Sequence, residues 1–389
     1  MPFYHHLGEV PRKRHTVWRQ PSGELYHEHL MGSFGFSGPE SLLYHLRPPT
    51  SILHSRTLRE LSWQHDADLT LRMRHFDLNK VAKSKSCTLD RTPILFNHDV
   101  ALQIVEPTAT DEFLYRNAQG DEVVFVSSGA GVLQSQMGEL PFQSGDYVVI
   151  PRGILHRFQL GEQPTRFLII ESTGQIRPPK RYCNQFGQLL EHSPYCERDI
   201  RLPRELPVYD QTGEFQIVVK HQNLLTEVVL DHHPLDVVGW DGFYYPWILS
   251  IHDFEPITGS LHQPPPVHQT FEADGFVVCS FVPRLFDYHP QALPVPYNHS
   301  NVMSDEVIYY ANDEFMSRKS IQYGSLTLHP FGLPHGPHPG RAEASIGKQR
   351  TEELAVMVDT FQSLNVSRQA LDFEDPDYGR SWLPGKHVD

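Results

Sequence analysis

The chain of 389 residues has little that could hold it together covalently. Its four cysteines, Cys87, Cys183, Cys196 and Cys279, are scattered and form no CxxC pair, which excludes a zinc ribbon and a disulfide framework. No apolar run approaches 18 residues, so no membrane-spanning helix is expected, and the first 15 residues lack an apolar signal core. Basic residues are outnumbered, 33 to 47, giving a formal net charge of -14. That balance argues against nucleic acid or an anionic membrane as the main partner. The expectation is a soluble, cytoplasmic protein. Helical periodicity is also scarce, which excludes a helical bundle.

Turn-formers and strand-formers are abundant. Pro numbers 32 and Gly 26, and they separate short runs rich in Val, Ile, Phe and Tyr. Such runs cover 122–129, 146–153, 165–172, 215–221, 276–283, 306–312 and 353–361. Runs of this length between turn signals predict an all-β protein, barrel or sandwich. The layout expected is an N-terminal arm or small extra sheet over 1–90, a first barrel over 91–175 and a connector that covers a site over 176–272. A second barrel follows over 273–365, with an extended polar tail over 366–389. The aromatic cluster of Trp240, Phe243, Tyr244 and Tyr245 reads first as core packing. The 24 histidines prompt a search for metal ligands.

The strongest signal is an internal duplication. Asp121-Glu122-Val123 is followed by Gly145, Pro151, Gly153 and His156, and Asp305-Glu306-Val307 by Gly324, Pro330, Gly332 and His335. The pattern G-x5-P-x-G-x2-H is the same in both copies. Fixed spacing repeated twice marks two copies of one structural unit.

These residues resemble the cupin superfamily, whose first motif is G-x5-H-x-H-x3,4-E-x6-G and whose second is the pattern above. The resemblance implies a double-stranded β-helix present twice, a bicupin. One strand of such a small barrel points alternate residues inward, and the Pro and Gly of the second motif make the turn that aims its His at the same point. In the first copy the two histidine positions hold Tyr115 and Asn117, leaving Glu122 and His156, so this barrel is expected to be metal-free scaffold. In the second they hold His299 and Asn301, with Glu306 and His335. Two imidazoles and a carboxylate are the ligand set of non-haem Fe(II) oxygenases, and a set that zinc also accepts.

The stretches PYNHSNVMSDE (296–306) and GSLTLHPFGLPHGPHPG (324–340) narrow the match. They are similar to the homogentisate 1,2-dioxygenase family, as are HEHLMGSFGFSGPESLLYHL (27–46) and IPRGILHRF (150–158). The resemblance spans about 24 to 360. It implies Fe(II) held by His299, His335 and a carboxylate. The family register puts that carboxylate at Asp305 and the internal repeat at Glu306; the repeat favours Glu306. It implies a ring-cleaving reaction of homogentisate with O2 giving maleylacetoacetate, in a homo-oligomer. His262 matches the family's acid/base histidine and must titrate near working pH; His268 competes for the role. Asn301 is expected to hydrogen-bond substrate or oxygen. His329 and His338 are expected to orient the ligands or touch substrate. Ser300 stands where the family has Arg, and Phe315 or Glu314 where it has Tyr, so Tyr309 and Tyr310 are the candidates to replace that Tyr. Two rival readings stay open: a dioxygenase for gentisate, hydroquinone or another diphenol, and a metal-binding bicupin without catalysis.

Overall fold

The computed structural model describes residues 3–262, 265–318 and 321–383. Strands dominate, and the one α-helix among the described residues, Arg341–Ser345, is a single turn. No helix among them is long and apolar enough to cross a membrane.

Two units with the same strand order sit against each other. In the first, neighbouring strands run Asp146–Ile150, Asp121–Ser128, Arg166–Ser172, Val100–Val105, Thr92–Phe96. In the second they run Ser325–His329, Asp305–Tyr310, Ala355–Thr360, Phe276–Phe281, Gln269–Ala273. Every pair in both series is antiparallel. A second sheet completes the first unit, with Gly138–Gln143, Ala130–Ser135, His156–Leu160 and Leu114–Asn117 in sequence across it. The architecture is the all-β bicupin. Gly145 and Gly324 make equivalent hairpin corners at φ 87° and 82°, a left-handed conformation that a side chain disfavours.

Strand alternation builds the joint between the units. Val307 and Tyr309 point to the first barrel, while Ile308 and Tyr310 point into their own. Tyr309 packs its ring edge against Phe125 at 6.2 Å and its hydroxyl lies 2.6 Å from Ser127 Oγ. Tyr147 meets Phe271 and Ser280 Oγ from the other side. One apolar core therefore runs through both barrels.

The flanking segments differ from the layout read in the sequence. Within 1–90, His5–Gly8, His27–Gly32 and Glu40–His45 do form a small sheet, with Val237–Gly242. Ile52–Glu60, however, edges the seven-stranded sheet of the first barrel, and Arg74–Asp77 completes the sheet of the second. Most of 176–272 is not cover: Thr212–His221 and Leu224–His232 form a long hairpin on the first barrel. Trp240, Tyr244 and Tyr245 lie in the core. Among its described residues, Ile257, Thr258, His262, Val267 and His268, near its end, reach the site. The described part of the tail is wound into 3-10 turns at Arg368–Phe373 and Tyr378–Arg380. Arg74 clamps it through Glu374 at 2.6 Å and holds Asp66 at 2.9 Å.

Candidate metal centre

His299 and His335 come together because their backbones form an isolated antiparallel bridge. Each amide donates to the other's carbonyl at 2.8 Å, which sets both side chains on one side with ring centroids 4.4 Å apart. Gly332, at φ 88°, makes the turn that delivers His335. The Nδ1 atoms lie against carbonyls two residues upstream, Tyr297 O at 3.1 Å and Leu333 O at 3.4 Å. Those contacts place the ring proton on Nδ1 and leave the Nε2 lone pairs to converge.

They converge on Glu306. Its Oε2 lies 3.5 Å from His299 Nε2 and 3.4 Å from His335 Nε2. The three ligand atoms sit within 4.8 Å of one another, and among the described residues no other group of His, Cys, Asp and Glu does this. Asp305 faces away. Its carboxylate accepts from the Phe331 and Leu364 amides and is spent on backbone. Between the two carboxylates left open by the sequence, geometry therefore selects Glu306.

The donor set fits a metal ion. His335 Nε2 is buried with no hydrogen-bond partner, an arrangement that costs free energy unless something accepts its lone pair. Burial alone would raise the Glu306 carboxyl, but contacts with His299, His329 and His335 outweigh it and hold it well below the usual carboxylate range. No Arg or Lys among the described residues forms an ion pair with Glu306. Asp359, paired in register with Glu306 on the next strand, is pushed up to about 8 by burial and then by the Glu306 charge.

His329 supports the centre from behind. Its Nδ1 donates to Glu306 Oε1 at 2.8 Å, its ring stacks on His335 at 4.8 Å, and its Nε2 meets the Tyr378 hydroxyl at 3.2 Å. Burial pushes it down to about 4. His338 is one layer further out, edge-on to Trp382 at 4.2 Å and 3.1 Å from Ser381 Oγ. It fastens the tail and does not line the cavity.

The centre opens on a cavity of about 160 Å³, the order of volume that accommodates a single aromatic ring. Phe281, Phe315, Ile308 and Met357 supply apolar wall, and His262, His268, Arg284 and Arg318 supply polar groups. His262 is partly exposed, with Nδ1 3.8 Å from Asp287 Oδ2 and its ring edge against Tyr297. His268 is buried against Phe281, its Nδ1 has no partner, and burial followed by the Arg284 charge pushes it down to about 3.

Three expected substrate contacts lie elsewhere. Tyr309 is on the wrong face of its strand, committed to Ser127 between the barrels. Tyr310 shares the face of Glu306 but sits behind Phe315, with its hydroxyl 3.2 Å from Thr327 Oγ1. Asn301 is half-buried beyond His299 and is not part of the cavity wall. Sequence reading missed Arg318, Asp359, Tyr378 and Trp382. Asp359 could have been found by extending the repeat to its last strand, where Glu171 pairs with Glu122 as Asp359 pairs with Glu306. The others carry no local signal.

The first barrel shows the same frame with different occupants. Arg91 Nη1 and Nη2 lie 2.8 and 2.9 Å from the two oxygens of Glu122, and Asn117 Nδ2 donates to Oε1 at 2.9 Å. The guanidinium stands over the Tyr115 ring at 5.6 Å, and His156 is fully buried beside it. A carboxylate with both oxygens bound to a guanidinium has no free edge left for a metal.

Comparison with known proteins agrees with the geometry. Residues 92–251 match a family model described as homogentisate 1,2-dioxygenase N-terminal. A protein of Saccharolobus solfataricus, provisionally named a dioxygenase, is 45% identical over 390 residues, covering 98% of this chain and 99% of that one. Homogentisate 1,2-dioxygenases of Bradyrhizobium diazoefficiens and Rhodopseudomonas palustris are each 27% identical, covering 96% of this chain and 90% of theirs.

Proposed function

The chain belongs to the homogentisate 1,2-dioxygenase family, and we propose that it binds Fe(II) through His299, Glu306 and His335 and cleaves the ring of homogentisate with O2 to give maleylacetoacetate. The observation that carries this reading is the open side of the ligand set. Two imidazoles and one carboxylate face a ring-sized cavity with apolar walls. Such a set leaves coordination positions free for substrate and oxygen. Fe(II), when bound there, supplies the sites at which a diphenol and O2 meet and the redox chemistry that opens the ring.

The protein's own groups then have distinct tasks. Phe281, Phe315, Ile308 and Met357 hold the ring plane and exclude water. His262 is the base. Asp287 faces its Nδ1, leaving Nε2 to take a phenolic proton while the carboxylate stabilises the imidazolium. His268, held neutral by burial, is a poor base and serves as a hydrogen-bond partner inside the cavity. His329 fixes the Glu306 carboxylate in its ligating orientation.

A second reading is a different diphenol, gentisate or hydroquinone, on the same centre. It is favoured by Ser300, which stands where the family has Arg, and by Phe315 or Glu314, one of which stands where it has Tyr. The test is oxygen uptake by anaerobically Fe(II)-loaded protein with homogentisate, gentisate and hydroquinone in parallel. Uptake with homogentisate, lost in His335→Ala, is expected. Uptake with another diphenol alone moves the substrate and keeps the centre. Uptake with none favours a binding bicupin.

A further inference from the structure

The cavity wall contains two arginines, and they differ in one respect. Arg284 is neutralised by Glu353 at 2.7 Å. Arg318 forms no ion pair among the described residues, although it is buried beside the metal centre. The groups that touch it are uncharged. It donates to the Gly336 carbonyl, contacts the Tyr310 and Tyr378 hydroxyls, and lies 5.5 Å over the Trp382 ring. Its Nε is buried with no acceptor. The remaining carboxylates on the wall are engaged: Glu306 with the histidines, Asp287 facing His262.

A buried guanidinium with an unused N–H is costly unless an anion completes it. Here the surroundings fix its position without neutralising it, and it borders the cavity, which can admit a molecule. An arginine offers its donors in a planar fork that matches a carboxylate. We infer that Arg318 is the specificity-determining residue of the site and receives the carboxylate substituent of an aromatic diphenol. The assignment rests on the reading of the cavity as a diphenol site. It also accounts for how this chain holds an acidic substrate with Phe315 on the wall and Tyr309 turned away.

The test is anaerobic equilibrium binding to the metal-loaded protein. The ligands are homogentisate and the corresponding alcohol, in which the carboxylate is replaced by a hydroxymethyl group. Wild type should prefer the acid by about 10- to 100-fold, the range of one charge-assisted contact. Arg318→Gln should lose that preference and leave the alcohol's affinity unchanged, and Arg318→Lys should keep part of it. If Arg318→Gln does not fold, the wild-type preference and its reduction in Arg318→Lys decide the matter. Equal binding of acid and alcohol by wild type, binding of neither, or an unchanged preference in the variants overturns the assignment. So does an equal loss for both ligands in Arg318→Gln. A preference for the acid without oxygen uptake would sink the dioxygenase reading and keep Arg318; uptake without the preference would do the reverse.

Discussion

In both barrels an aspartate at the head of one strand accepts two backbone amides: Asp121 from Arg152 and Ile176, Asp305 from Phe331 and Leu364. In both, the glutamate that follows points inward and the second-motif histidine sets its Nδ1 against a carbonyl two residues before it. The frames match, and the positive charges do not. In the first barrel each inward carboxylate has a cation from the chain itself, Arg91 for Glu122 and Lys220 for Glu171. In the second, Glu306 and Asp359 have none within ion-pair distance among the described residues, apart from histidines. Arg91 lies two residues before Pro93, and the strand register, counted out from Glu122 and Glu306, sets Pro93 equivalent to Gln269, so the position equivalent to Arg91 holds Val267, on the cavity wall. One residue at one position thus fills the first barrel with a guanidinium and leaves the second an apolar wall. A duplicated scaffold can keep its fold and change its chemistry in this way, because the frame is held by backbone contacts and the charge by a single side chain.

The comparison can be broken at that position. Val267→Arg should bring a guanidinium to Glu306 as Arg91 reaches Glu122, leaving metal content near zero and no oxygen uptake; metal analysis of purified protein checks it, and normal content would end the equivalence. Next in size is Arg91→Ala. It strands Glu122 in the core, and removing one partner of a buried ion pair costs about 3–5 kcal/mol. Denaturant unfolding measures this, and a loss below about 1 kcal/mol would show that the pair does not hold the first barrel together. The smallest effect is expected at His329. His329→Gln removes the stacked donor to Glu306, and losing such an outer partner lowers metal affinity about 10- to 100-fold. Competition titration with a chelator reads it, and unchanged affinity would mean that Glu306 is oriented by its strand alone.

Much of this molecule was legible before its structure. Strands expected over 122–129, 146–153, 165–172, 276–283 and 306–312 are all present, because hydrophobic runs between turn residues leave few other conformations. Leu224–His232 was missed: its alternation of buried and half-exposed residues is clear in the structure, but it lies beside Pro- and aromatic-rich stretches that read as irregular. The meeting of His299 and His335 followed from motif spacing, since the Pro-x-Gly turn leaves His335 one direction to point. Tyr309 faces away from the cavity for the reason Glu306 faces His299 and His335. Neighbours three apart on a strand face opposite sides, and which side is the interior is set by the other barrel.

The sequence by itself determined that the chain is a β duplication and that two histidines and a carboxylate at fixed spacing belong to its second copy. Those features are local, and backbone sterics and side-chain alternation act within a few residues. Tertiary structure alone decided between Asp305 and Glu306, paired Arg91 with Glu122 across 31 positions, and carried Tyr378 under His329 across 49. It also left Arg318 uncompensated at the cavity wall. The physical reason is that charge compensation and burial depend on which distant segments close over a group, and no spacing rule along the chain encodes that closure.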